Sequence, residues 1–318
     1  MIDRRTMLLA LAGWAGAQTT QAEPPPPRLG LDLQGIWTTA SYTDLERPAE
    51  LKRLVVTPEE AEAFEAPRRA LNGRLPSRPE ELGQAEGAWS ERGAGLARVG
   101  GEIRSSWIVD PLDGRIPFTA AARARLKLDA PRQIHGIEDP EQMTGPERCL
   151  AAVNAGAPMT GAPDANLFEI VQAPGFVVIH SEKYHDARIV DLGTTRGRSP
   201  MSPSWLGESI GRWEGETLVV TTSGLKPGII HRGQRLYLSG ASRVTEWFTR
   251  SAPQELMYRF LVQDPDLFSA PWRGEMAIQA ASGRIYEYAC HEGNYALPGI
   301  LAGARREEQE AGGVGWRL

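Results

Sequence analysis

From Leu167 onward the chain repeats one pattern: short β-prone runs separated by turn-forming residues. The runs are Phe168–Ile179, Tyr184–Leu192, Thr217–Thr222, Arg243–Arg250, Glu255–Gln263, Trp272–Ala280 and Ile285–Cys290. Pro174-Gly175, Glu182-Lys183 and Trp213-Glu-Gly-Glu216 punctuate them. In a strand, successive side chains face opposite sides, so a run that alternates apolar and polar residues offers one face to a core. Counting the shorter runs Asp32–Thr38, Arg104–Asp110 and Ile116–Phe118, the pattern gives about nine or ten strands and few long helices. A sheet of that size leaves unpaired edges unless it closes. The expected fold is therefore mainly β: an antiparallel barrel or a strongly curved sheet, with one or two N-terminal helices and long loops.

The helices are announced by capping chemistry. Thr57-Pro-Glu-Glu60 supplies an N-cap, a proline at the first helical position and a carboxylate able to complete a capping box, predicting a helix to about Leu71. A shorter one, Ala120–Leu128, follows Thr119. Residues 72–101 are rich in Gly, Pro and charge without a period, which predicts a long surface loop.

Met1–Ala22 reads as an export signal: Arg4-Arg5, the apolar run Met7–Ala17, and small residues at Thr20-Gln21-Ala22. The twin arginines suit the route taken by folded proteins, and an uncleaved anchor is the alternative. Residues 23–31, with four consecutive prolines, form a stiff spacer, and 32–318 then make a single domain. The expected location is periplasmic or secreted, with no stable membrane insertion once the signal is removed. A net charge of -5 with no basic block argues against a nucleic-acid partner.

Cys149 and Cys290 are the only cysteines. In an exported chain they are expected to form a disulfide, the alternative being two buried thiols; their separation excludes a zinc ribbon.

The densest polar chemistry lies at Arg284–Asn294. If Ile285–Cys290 is a strand, Tyr286, Tyr288 and Cys290 share a face that can line a cavity, and His291, Glu292 and Asn294 project from the corner after it. His291 with Glu292 is the leading acid-base pair, because imidazole moves protons at neutral pH and a carboxylate orients it. His185 is a further catalytic candidate. Alternation places Asp186 and Arg188 together on the opposite face, either as an ion pair or with Arg188 toward a substrate. Asp110 and Arg115 flank the Pro111-Leu-Asp-Gly turn, where Arg115 either serves the turn or holds an anionic group. His180, His185, His291 and Glu292 lack the local spacing of a metal site, so no metal is assigned. Neither a dinucleotide nor a Walker fingerprint is present, and no cofactor is assigned. Gly207-Glu-Ser-Ile-Gly211 spells a nucleophile elbow but sits among strands, so Ser209 is not nominated.

Four motifs occur together: Ser106–Pro117, His185–Val190, Trp205–Val220 and Tyr286–Tyr295. As a set they resemble a large family of exported bacterial proteins; the resemblance covers most of the mature chain and implies export, without supplying an activity or a catalytic residue. Separately, Gly35-Ile-Trp37 before the strand series resembles the opening of lipocalin-like barrels, in which the tryptophan plugs one end. The combined expectation is a small-molecule enzyme performing metal-independent acid-base chemistry in a barrel cavity, as a lyase, isomerase or hydrolase. Its alternative is a non-catalytic carrier or sensor of a small, partly apolar ligand.

Overall fold

The computed structural model describes residues 32–72, 93–126, 137–143, 145, 148–151, 154–161, 166–193, 202–231 and 236–310. The expected signal, the spacer and most of the 72–101 loop lie outside them. The N-terminal part contributes β1 (Gly35–Thr38), β2 (Val55–Val56), α1 (Pro58–Asn72), β3 (Arg98–Val99), β4 (Glu102–Arg104), β5 (Ile108–Asp110) and α2 (Ala120–Arg125). After it come β6 (Leu167–Ala173), β7 (Phe176–Ser181), β8 (Ala187–Asp191), β9 (Glu208–Glu214), β10 (Thr217–Ser223), β11 (Gly228–His231) and β12 (Leu236–Leu238). The chain ends with β13 (Arg243–Ala252), β14 (Glu255–Gln263), β15 (Trp272–Ala280) and α3 (Ala296–Glu310).

The main sheet runs β1-β6-β7-β8-β9-β10-β13-β14-β15-β5, and β1 also pairs with β15 through Trp37 opposite Ala280. That second pairing closes a barrel, with β5 appended beside β1 on the outer edge of β15. The barrel is mixed rather than purely antiparallel: β8 and β9 pair in parallel, Val190 opposite Ser209 and Asp191 opposite Ile210. The expectation of antiparallel strands rested on short turns, and the connection between these two strands is long enough for the chain to re-enter the sheet in the same direction. Gly211 permits the approach, since a Cβ there would lie 2.6 Å from Val190 Cγ1.

Alternation drives the packing. Val244, Glu246 and Phe248 on β13, and Leu256, Tyr258, Phe260 and Val262 on β14, point inward and are buried. Trp37 is buried too; its Nε1 donates to Leu33 O at 3.0 Å and the Arg250 guanidinium lies 5.4 Å from its ring centroid. Leu33 N–H reaches Gln172, so this plug sits at the end of β6 nearest the Pro174-Gly175 turn. At the other end of β6 and β7, residues 154–160 are fully buried. Asn154 donates to Leu167 O and accepts from Ser181 Oγ, while Met159 N–H donates to Tyr258 Oη at 2.8 Å. Side chains and this inserted segment thus occupy the barrel from both ends.

The capping box forms as expected: Glu60 N–H donates to Thr57 Oγ1 and Thr57 N–H to a Glu60 carboxylate oxygen. α1 then packs with Leu51, Val56, Leu96 and Ile103 into a second, smaller core over the three-stranded sheet β2-β4-β3. Two further expectations fail. Ile285–Cys290 is not a strand, because β1 and β5 already hold the β15 edge it would need. The C-terminal α3 was not foreseen, since Pro298, Gly299 and Gly303 dilute its helical signal. Among the described residues no helix is long and apolar enough to cross a membrane.

Candidate functional site

The β7–β8 connection makes an unusual turn. Tyr184 and His185 adopt left-handed backbone, with φ of 62° and 53°. Among the described residues the other non-glycine position of this kind is Cys149, at 55°. Such a conformation costs of order 1–3 kcal/mol per residue and persists only where its surroundings enforce it. All three residues meet the same partner, the segment 284–294.

This segment crosses the outside of the barrel as a strap. Tyr286 N–H donates to Glu182 Oε2 at 3.0 Å, and Tyr288 N–H to His185 Nε2 at 2.9 Å. Alternate amides of an extended chain point to one side, so two side chains of the β7–β8 turn capture one edge of the strap. Cys290 is bonded to Cys149 with 5.9 Å between Cα atoms, which bears out the expected disulfide. Asn294 Nδ2 lies 3.8 Å from Cys149 Sγ. The Tyr184 and Tyr288 rings meet edge to face at 5.3 Å, and the buried Lys183 ammonium lies 5.3 and 5.7 Å from their centroids. His180, on the outward face of β7, stacks with His185 at 6.3 Å.

Of the expected site residues, His185, Tyr288 and Asn294 come together on this rim. His291 and Glu292 follow the disulfide directly, in a turn where Glu292 N–H donates to Ala289 O and Asn294 N–H to His291 O. Both side chains are exposed and, among the described residues, without a hydrogen-bond partner. The lining face expected of Tyr286, Tyr288 and Cys290 does not exist, because the segment is a strap over the barrel exterior.

Three other candidates lie elsewhere. Arg188 points into the barrel, where Nη1 and Nη2 donate to the two Glu246 carboxylate oxygens at 2.7 and 3.0 Å. Its expected companion Asp186 precedes β8, and the pairing crosses the interior instead. Tyr258 Oη donates to Glu246 Oε1 at 2.7 Å, completing a buried triad. Burial, followed by the Glu246 charge, pushes the Tyr258 phenol well above its ordinary range, with Arg188 opposing. Asp110 faces Arg273 at 4.0 Å and Arg115 faces Glu46 at 3.6 Å, while Asp113 accepts the Arg115 N–H within the turn. These partners belong to β15 and the N-terminal layer rather than to the rim. Ser209 Oγ shares a hydrogen bond with Thr222 Oγ1 inside the β9–β10 ladder, in a strand and not at an elbow.

Glu182, Lys183, Tyr184, Glu246 and Tyr258 were not singled out from the sequence as site residues, and His180 was weighed there only as one of four side chains lacking the spacing of a metal site. Glu246 carried a signal: it holds the inward phase between Val244 and Phe248. Among the described residues, no three His, Cys, Asp or Glu side chains gather as a metal site. Comparisons with family models, curated proteins and solved structures return no match.

Proposed function

We propose that this is an exported, lipocalin-like barrel protein that acts on a small organic molecule by metal-independent acid-base chemistry, as a lyase, isomerase or hydrolase. The reaction belongs on the disulfide-pinned rim rather than inside the barrel. One observation carries this: the three left-handed non-glycine residues among the described residues, Cys149, Tyr184 and His185, converge on one patch that also holds His180, Tyr288 and the buried Lys183. Strain retained at one place, beside groups able to move protons, is what a working site requires. In this reading His291 and Glu292 form the solvent-facing proton-transfer pair and His185 the partner held in place by the strap. Tyr288 and Asn294 contact the substrate. The disulfide supports a setting outside the reducing cytoplasm.

A carrier holding its ligand in the barrel is the weaker reading, since large side chains and residues 154–160 are buried there. To test the proposal, the purified protein is incubated with a fractionated extract of organic acids, phenols and esters, and consumption is followed by mass spectrometry. Turnover by the wild type that disappears in a folded His291→Ala variant supports it. A compound retained in native mass spectrometry, with no conversion at any pH, would favour the carrier.

A further inference from the structure

The strap is fixed at two points. Ala281 N–H donates to Ile36 O at 2.8 Å, and Cys290 is held by its disulfide. Between these anchors residues 282–289 make no backbone ladder with the described residues of the barrel, and the Glu182 and His185 side chains hold the Tyr286 and Tyr288 amides. We propose that residues 282–289 form a pH-gated flap, latched closed by the neutral imidazole of His185.

The two holds respond differently to acid. A carboxyl that takes up a proton still presents an oxygen to an N–H donor, so Glu182 remains an acceptor. An imidazole that takes up a proton has donors on both nitrogens and no lone pair left for Tyr288 N–H. Protonation therefore turns the His185 contact from attraction to the facing of two donors, and the strained turn around it loses a contact that holds it. The elements that meet at His185 carry His180 on β7, Glu182, Lys183, Tyr184 and Asp186 in the turn, and Arg284, Tyr286, Glu287 and Tyr288 in the flap, of which His180 stacks on the ring and Tyr288 donates to it. Lys183 adds a like charge to an imidazolium, and Glu182 and Asp186 add opposite ones. Of the two holds, His185 alone accepts through a lone pair that acid removes. When the latch opens, Tyr288 leaves Tyr184 and Lys183, and the rim becomes accessible, while the disulfide keeps the far end of the flap in place.

As regulation of the rim this rests on the functional reading above, but its test involves no substrate. Amide hydrogen exchange at Tyr286 and Tyr288 is measured with the disulfide intact between about pH 8 and about pH 5, as protection factors corrected for the intrinsic rate. Protection of Tyr288 is expected to fall by up to about tenfold per pH unit below the titration of His185, the limit for one linked proton. The midpoint should coincide with that of the His185 ring resonances. His185→Gln, whose amide oxygen accepts without titrating, should keep Tyr288 protected throughout, and His185→Ala should leave it open throughout. Protection that ignores pH in the wild type, a midpoint displaced from that of His185, or an acid-induced loss that persists in His185→Gln would overturn the latch. Loss of turnover in His291→Ala with an unaltered flap would separate the two readings.

Discussion

Arg188, Glu246 and Tyr258 place an ion pair and a phenol where alternation calls for apolar side chains. A buried ion pair is costly unless further hydrogen bonds offset its desolvation, and Tyr258 supplies one by donating to Glu246 while accepting Met159 N–H, although Arg188 Nε stays without a partner among the described residues. The residue thereby links the wall to the inserted segment 154–160. Its phenol is held neutral well above the ordinary value of 10.0, so linkage sets the sign. Below about pH 10 neither folded nor unfolded chain ionises this group. Above it the unfolded chain releases a proton that the folded chain keeps, and stability falls as pH rises toward the folded value. Urea midpoints of wild type and Tyr258→Phe, compared from about pH 8 to about pH 11, should converge as pH rises, because other tyrosines cancel in the comparison. A constant gap would refute this account.

At the scale of elements, the parallel β8–β9 pair is the most demanding step in closing the barrel, and Gly211 makes it possible. A methyl group at that position meets Val190 Cγ1 at 2.6 Å and Leu192 Cδ2 at 3.1 Å, and the β-branched Val190 has little freedom to yield. Gly211→Ala should therefore cost about 1–3 kcal/mol in chemical denaturation, and Val190→Ala in the same chain should recover part of it; additive losses would show that the contact is not the cause. Where the chain declared itself, the determinants were local. Thr57, Pro58 and Glu60 fix the start of α1 within four residues, and β13 to β15 follow alternation interrupted by tight turns. Direction across a long connection has no local determinant, so β8–β9 was illegible. Ile285–Cys290 has the composition of a strand, yet an edge occupied by β1 and β5 overrides it. The site divides in the same way. Two cysteines in a chain expected to be exported announce their bond, whereas the meeting of Glu182, Lys183 and Tyr184 with the strap depends on left-handed backbone at Tyr184 and His185, which no residue type there demands.

For the molecule as a whole, the disulfide joins two parts of the chain that the barrel ladders leave untied. Cys149 lies a short distance before the inserted Asn154, and Cys290 ends the strap, with 141 residues between them in sequence. Closing a loop of that length restricts the unfolded chain, and on the chain-entropy account contributes up to about 5 kcal/mol. The barrel's own pairings, from β1 round to β15, do not pass through either cysteine. Replacing both by serine should therefore leave the far-UV circular dichroism unchanged while lowering the free energy of unfolding by a few kcal/mol, within the chain-entropy ceiling of about 5. Limited proteolysis of the folded variant should cut first within 282–295, because the strap then keeps its side-chain holds and ring contacts but loses its covalent tie. Cleavage that began in the β13–β15 meander would mean the bond supports the barrel itself. Cleavage confined to the strap would establish the division of labour the topology implies: ladders close the barrel, and the covalent bond assembles the rim.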